Sequence, residues 1–177
     1  GIPVLQIFAP WETAQTRSMA KHPTLLVTGA SGHLGRRVLE LLLASDSTRD
    51  RTLYAVTRSP DKIADLAARG VTVRAASFED DPSALAAAFR GADRALVIST
   101  DAVDRPGRRI LQHQAAIGAA KAAGVRHVVY TSLVHADPDS LVALAPDHFA
   151  TERAIADSGL SHAILRNNMY TDYLLFN

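Results

Sequence analysis

Leu25-Leu26-Val27-Thr28-Gly29-Ala30-Ser31-Gly32-His33-Leu34-Gly35 is a short apolar run that meets a glycine turn and opens into a helical pattern. The apolar run reads as a buried strand. Val38, Leu39, Leu42 and Leu43 then recur on one side of a helix from about residue 33 to residue 44. Between strand and helix the glycines are spaced G-x-x-G-x-x-G. Gly29 permits a tight turn, Gly32 lets backbone approach a pyrophosphate, and Gly35 lets the helix lie close to the sheet, with the helix N-terminus facing the phosphate charge. A glycine-rich turn alone is common in α/β proteins; its place between strand and helix gives it weight. Gly29, Ala30, Ser31, Gly32, His33, Leu34 and Gly35 are therefore expected to hold a dinucleotide.

Downstream, strand-like and helix-like segments alternate. Leu53 to Thr57 forms the second strand, and Pro60 starts a helix through Ile63 and Leu66 that stops at Gly70. Val71-Thr72-Val73 is the third strand. Asp81-Pro82 opens a helix carrying Leu85, Ala88 and Phe89, and Ala95 to Ile98 follows as the fourth strand. A long helix with Ile110, Ile117 and Ala120 lies between Pro106-Gly107 and Gly124, before a fifth strand at Val128-Val129-Tyr130. A last helix, from about Asp147 to Ser158, leads past Gly159 to a sixth strand at His162 to Leu165. Strands apolar on both faces and separated by helices imply an α/β fold whose parallel sheet is covered on both sides. The motif favours a Rossmann doubly wound sheet with strand order 3-2-1-4-5-6 and ligand at the switch between strands 1 and 4; a flavodoxin-like order is the alternative.

The composition narrows the function classes. Lysine plus arginine (19) nearly balance aspartate plus glutamate (18), so no overall field recruits nucleic acid or an anionic membrane. The 177 residues contain no apolar run long enough to span a bilayer and no cysteine, so no disulfide framework or thiolate metal site is expected, which fits a cytoplasmic protein. Residues 1–20 are mixed in character and unlike a secretory signal; they read as an N-terminal extension to a Rossmann domain over residues 21–177.

Where the second strand ends, an NAD-selective protein would offer a carboxylate to the adenosine ribose. Here stands Arg58, whose guanidinium suits a 2′-phosphate, with Lys62 close behind; NADP is thus expected over NAD, the alternative being a solvated arginine. Ser99 and Thr100 after the fourth strand, and Thr131 and Ser132 after the fifth, would open into the crevice at the carboxyl ends of the strands. Such hydroxyls equally cap helices or bond loop backbone.

Four stretches give the sequence a family likeness: Val27 to Gly35, Val56-Thr57-Arg58-Ser59-Pro60-Asp61-Lys62, Val129-Tyr130-Thr131-Ser132-Leu133-Val134-His135-Ala136-Asp137, and Leu165-Arg166-Asn167. From about Thr24 to Tyr170 the chain resembles the NmrA-like, atypical short-chain dehydrogenase/reductase family, and within it the bacterial NAD(P)H:quinone oxidoreductases. The resemblance implies that Arg58 reads NADPH and that a quinone or similar small acceptor sits beside the nicotinamide, where His135, Asn167 and Tyr170 are the candidate contacts. Three features depart from the family pattern. Ser77-Phe78 replace Asp-Tyr at the adenine and substrate edge, with Phe78 as the candidate cofactor contact, and Asn168-Met169 replace Gly-Trp. The family's further C-terminal portion, which helps build the acceptor pocket, is expected to be absent from a chain ending at Asn177.

Ordinary short-chain dehydrogenases carry a lysine four residues after an active tyrosine. Tyr130 is followed there by Val134, and Tyr54, Tyr170 and Tyr173 also fail the spacing. His148 stands where the related isoflavone-reductase-like members carry lysine. With an ordinary pKa it would exchange protons near neutrality, the alternative being an exposed histidine at a helix start. Two functions remain open: NADPH-dependent reduction of a quinone or similar electrophile, and a redox sensor that binds the dinucleotide and signals to a protein partner. A structural remnant that binds little is the third possibility.

Overall fold

The computed structural model describes residues 23–168, so the extension assigned to residues 1–20, and Tyr170, lie outside the described residues. The elements alternate as expected: β1 (Leu25–Val27), α1 (His33–Ala44), β2 (Leu53–Thr57), α2 (Ala64–Ala68), β3 (Thr72–Ala75), α3 (Pro82–Phe89), β4 (Arg94–Val97), α4 (Arg108–Ala122), β5 (His127–Leu133), α5 (Ala145–Ser158) and β6 (Ser161–Asn167). The six strands are parallel in the order β3-β2-β1-β4-β5-β6. This is the Rossmann order. Pro60 opens a 3₁₀ turn (Pro60–Ile63) that runs into the short α2, rather than one continuous helix.

The sheet separates two apolar layers. On one side, Leu85 and Phe89 of α3 and Ile117 and Ala120 of α4 pack on Leu26, Val97, Val128 and Tyr130. On the other, Leu39 and Leu42 of α1 and Ile63 and Leu66 pack on Leu25, Val27, Ala55, Leu96 and Val129. The central strands β1 and β4 are buried along their whole length, as expected of a parallel sheet covered on both faces. Burial on both faces fails at the edges: Thr72 and Ala75 of β3 and Ser161 and His162 of β6 are exposed, because an edge strand has a neighbour on one side only.

The first turn of α1 lies close against the glycine turn that follows β1. A Cβ placed on Gly35 would lie 2.3 Å from the carbonyl oxygen of Gly29 and 2.9 Å from the Cα of Ala30. Both are backbone atoms and cannot rotate away. Gly35→Ala is therefore expected to destabilise the domain by at least the ~1–3 kcal/mol typical of overpacking. Urea denaturation of the variant beside wild type measures this; an unchanged midpoint would contradict the contact.

Candidate dinucleotide site

At the end of β1 side-chain bonds join the backbone bond from Thr28 N–H to the Leu96 carbonyl at 3.0 Å. The Thr28 hydroxyl donates to the Leu96 carbonyl at 3.2 Å and accepts from the Ile98 amide at 3.0 Å, tying the ends of β1 and β4 together at the switch point. The chain then turns through Gly29, whose φ of 60° lies in the left-handed region open to glycine. Ala30 N–H donates to the Val56 carbonyl at 3.2 Å and Gly32 N–H to that of Gly29 at 3.0 Å. Gly32 is the N-cap of α1; no side chain caps the helix and its first turn holds no acidic residue. Gly32 and His33 are exposed, Ser31 and Leu34 half-buried, and Ala30 and Gly35 buried. An uncapped helix start with exposed backbone leaves amide donors and the positive end of the helix dipole for an anion.

The end of β2 is coupled to this turn. Thr57 Oγ1 donates to Ser31 Oγ at 2.7 Å and accepts from the Ser59 amide at 3.0 Å. Arg58 and Lys62 are both exposed here and form no ion pair among the described residues. Arg36, on the first turn of α1, is occupied: its guanidinium donates to both Asp65 oxygens at 2.8 and 2.7 Å and to the Lys62 carbonyl at 3.3 Å. The cations left uncommitted beside the turn are thus the two named from sequence.

On the far wall the hydroxyls are engaged. Thr131, buried, accepts from the Ser99 amide at 2.9 Å, so it bonds loop backbone, one of the two roles open to such a hydroxyl. Ser132 Oγ donates to Glu152 at 2.5 Å, and Arg166 holds the same carboxylate at 3.1 and 2.6 Å. Thr100 is held through its backbone: its amide donates to His113 Nε2 at 3.0 Å and its carbonyl accepts from Arg109 Nε at 2.5 Å.

His148 corrects the sequence reading most. It is neither exposed nor of ordinary pKa; it is 4% exposed, and burial, with the Arg109 charge beside it, pushes its pKa down to about 4. α5 begins at Ala145, so His148 lies inside the helix, facing α4 and β5. The cause is a polar cluster packed into the core. Arg109 Nη2 meets His148 Nε2 at 3.0 Å, and His148 Nδ1 meets the Tyr130 hydroxyl at 2.9 Å. A guanidinium only donates, so Nε2 accepts and the imidazole proton sits on Nδ1, donating to the Tyr130 oxygen. His113 is fixed the same way: Nε2 accepts from Thr100, so Nδ1–H donates to Thr151 Oγ1 at 2.9 Å, and that hydroxyl donates to the Asp147 carbonyl at 2.7 Å. Burial, then the charge of Arg109, holds His113 down to about 3, and burial pushes the Tyr130 phenol well above its usual range. Both histidines are neutral at pH 7.

The remaining candidates lie apart from the turn. Phe78 packs half-buried against the core and borders a hollow of about 460 Å³ with Glu79, Arg108 and Leu111. His135, exposed, has a φ of 53°, uncommon for a residue with a Cβ, and lines a second hollow of about 520 Å³ with Asp137, Phe149 and Arg166. Asn167 ends β6, where its carbonyl accepts from the Val134 amide at 2.9 Å. Sequence reasoning missed Arg109, His113 and Thr151. The available signal was helical spacing: Arg109, Gln112, His113 and Ala116 form a buried stripe on α4 at positions i, i+3, i+4 and i+7.

Residues 29–173, which include the glycine turn, Arg58 and the far wall, match the NAD(P)H-binding family. The chain belongs to that family. Its NmrA-like character is shared with an NmrA-like family domain-containing oxidoreductase of Aspergillus flavus, 35% identical over 153 residues that cover 83% of this chain and 48% of that protein. Quinone oxidoreductase 2 of Escherichia coli strain K12 is 42% identical over 151 residues, 85% of this chain and 50% of the relative. The crystal structure of the NADPH-dependent quinone oxidoreductase of Escherichia coli with NADPH matches with a TM-score of 0.77, covering 86% of this chain and 51% of that one. Triphenylmethane reductase of Citrobacter sp., crystallised with NADP(H), is 36% identical with a TM-score of 0.77, over 85% of this chain and 51% of its own. The chain spans about half the length of the curated relatives it matches.

The buried histidines generate a pH dependence. Their folded-state pKa values of about 3 and about 4 lie below the ordinary 6.5, so the unfolded chain takes up these protons first as pH falls. Stability is full above about pH 6.5 and drops by about 1.4 kcal/mol per pH unit per histidine until the folded pKa is reached. Between pH 6.5 and 5 carboxylates contribute little to this slope. His113→Gln should shed one histidine's share of it in denaturant titrations across that range. An unchanged slope would contradict the neutral, buried assignment.

Proposed function

We propose that this chain holds NADPH across the carboxyl edge of its sheet, and that the protein to which it belongs passes hydride to a quinone or similar small electron-poor acceptor. The reading rests on the uncapped N-terminus of α1, set on the Gly29 to Gly35 turn and flanked by the exposed cations Arg58 and Lys62. Those donors fit a pyrophosphate, and the cations fit a 2′-phosphate. NADPH, when bound, supplies the hydride. Gly29, Ala30, Ser31, Gly32, His33 and Leu34 would form the phosphate cradle, while Ser99 and Thr100 would wall the nicotinamide half. His135 and Asn167 would be the contacts to the acceptor. The quinone and dye reductases among the relatives, with their NADP(H) complexes, support this choice of cofactor and acceptor.

The buried cluster bears on proton supply. Tyr130 is fully buried and His148 is 4% exposed, neutral, and bonded at both ring nitrogens, so neither is placed to protonate an acceptor. A quinone suits such a site, because its reduced oxygens take protons from water and hydride transfer asks mainly for proximity. The same sealing supports a second reading, a dinucleotide sensor that signals to a protein partner without turnover. No helix among the described residues is long and apolar enough to cross a membrane, in keeping with the proposed cytoplasmic placement.

Calorimetry tests the cofactor assignment. Wild type should bind NADPH more tightly than NADH, and Arg58→Ala should lose about 10- to 100-fold for NADPH alone, the loss expected for ~1.5–3 kcal/mol of charge-assisted bonding. Equal affinities in wild type would reject it. A Cβ on Gly32 would lie 3.3 Å from the Gly29 carbonyl oxygen, a tight contact relieved by a shift of a few tenths of an ångström and far milder than the 2.3 Å at Gly35. Gly32→Val should therefore fold with reduced stability yet bind no dinucleotide, because its branches block the phosphate. NADPH oxidation by the whole protein against a quinone panel separates enzyme from sensor. Tight binding with no turnover of any acceptor would favour the sensor.

A further inference from the structure

The peptide units after β4 are fixed by side chains instead of by a strand ladder. Ser99 N–H is held by Thr131, Thr100 N–H by His113, and the Thr100 carbonyl by Arg109, all at 3.0 Å or less. Arg109 is 3% exposed, and its bonds reach a carbonyl and a neutral imidazole; Nη1 is buried without a hydrogen bond, with Asp147 Oδ2 at 3.7 Å. A buried guanidinium with so little anionic compensation costs stability. Shape alone would be served better by an apolar side chain. What the guanidinium and the two imidazoles provide is orientation: their shortest bonds run from Thr100 through His113 to Thr151, and from Thr100 through Arg109 and His148 to Tyr130.

We propose that Arg109, His113 and His148 are positioning residues, which lock the Thr100 peptide and thereby set the wall of the dinucleotide crevice on its nicotinamide side. The proposal rests on the dinucleotide reading above. None of the three residues needs to touch the cofactor. The groups facing the pair of imidazoles are Arg109 from α4, Tyr130 from β5, and Asp147, Thr151 and Glu152 from α5. Of these elements α4 bonds the Thr100 peptide directly, through His113 and Arg109, and α5 and Tyr130 of β5 brace those two side chains.

The test uses His113→Phe, which keeps an aromatic ring but loses both hydrogen bonds, and His113→Gln, whose carbonyl oxygen can still accept from the Thr100 amide. Both variants lose the imidazole, so both are expected to lose stability. NADPH affinity should separate them: about tenfold weaker in His113→Phe, and within about threefold of wild type in His113→Gln, one lost hydrogen bond to a positioned backbone group corresponding to roughly a factor of ten. If His113→Phe does not fold, Thr151→Val takes its place, removing the acceptor that fixes the His113 ring, with a loss of at least threefold expected. Wild-type affinity in His113→Phe, or in Thr151→Val where that variant is used, would overturn the proposal, as would equal weakening in His113→Phe and His113→Gln. Gly32→Val is the control. Should it abolish binding while His113→Phe binds like wild type, the positioning role falls and the dinucleotide reading stands; should wild type bind no dinucleotide, both fall.

Discussion

The contact between the first turn of α1 and the glycine turn is the constraint on which the rest depends. The Gly35 backbone sits where any Cβ would collide with the Gly29 carbonyl. That closeness lets α1 start directly over the carboxyl end of β1, with its first amides uncapped and its dipole aimed out of the sheet edge. Packing follows from the same placement, because Leu39 and Leu42 then meet the apolar faces of β1 and β2. A wider separation would move the helix off that layer and carry the anion-binding end away from the crevice.

Opposite this apolar junction the protein uses a polar one. The α4–α5–β5 layer contains Arg109, His113, His148, Tyr130 and Thr151, all buried, in a region a Rossmann domain can fill with aliphatic side chains. Such a cluster is stable only while both imidazoles stay neutral and keep the hydrogen bonds at both of their ring nitrogens. One side of the crevice presents backbone donors and exposed cations, and the other is a wall held by two neutral imidazoles and one buried guanidinium, that of Arg109.

Most of the fold was legible in the residues. The β-α alternation came from apolar runs punctuated by Gly70, Gly91, Gly124 and Gly159, all at positive φ, and the strand order followed from the glycine motif through the handedness of the crossovers. Arg58 and Lys62 were legible because they are local: both follow β2 directly. His148 was not. Its burial is decided by Arg109, 39 positions away in sequence, and by Tyr130 on a strand between them, and no window around a histidine at a helix start contains either. Thr131 was ambiguous for a similar reason, since its partner Ser99 lies 32 positions off. Edge exposure of β3 and β6 was hidden because strand order enters only after the strands are named.

The central claim is that the turn and uncapped helix start of α1, faced by the Ser99-Thr100 wall, form one dinucleotide site. Amide NMR spectra recorded during an NADPH titration test it most directly. The account predicts that the largest shifts fall on Gly29 to Gly35, on Arg58, and on Ser99 and Thr100, with the α1 first-turn amides moving most. Saturating NADPH that leaves those amides in place, while shifting residues around the Phe78 or His135 hollows, would contradict it.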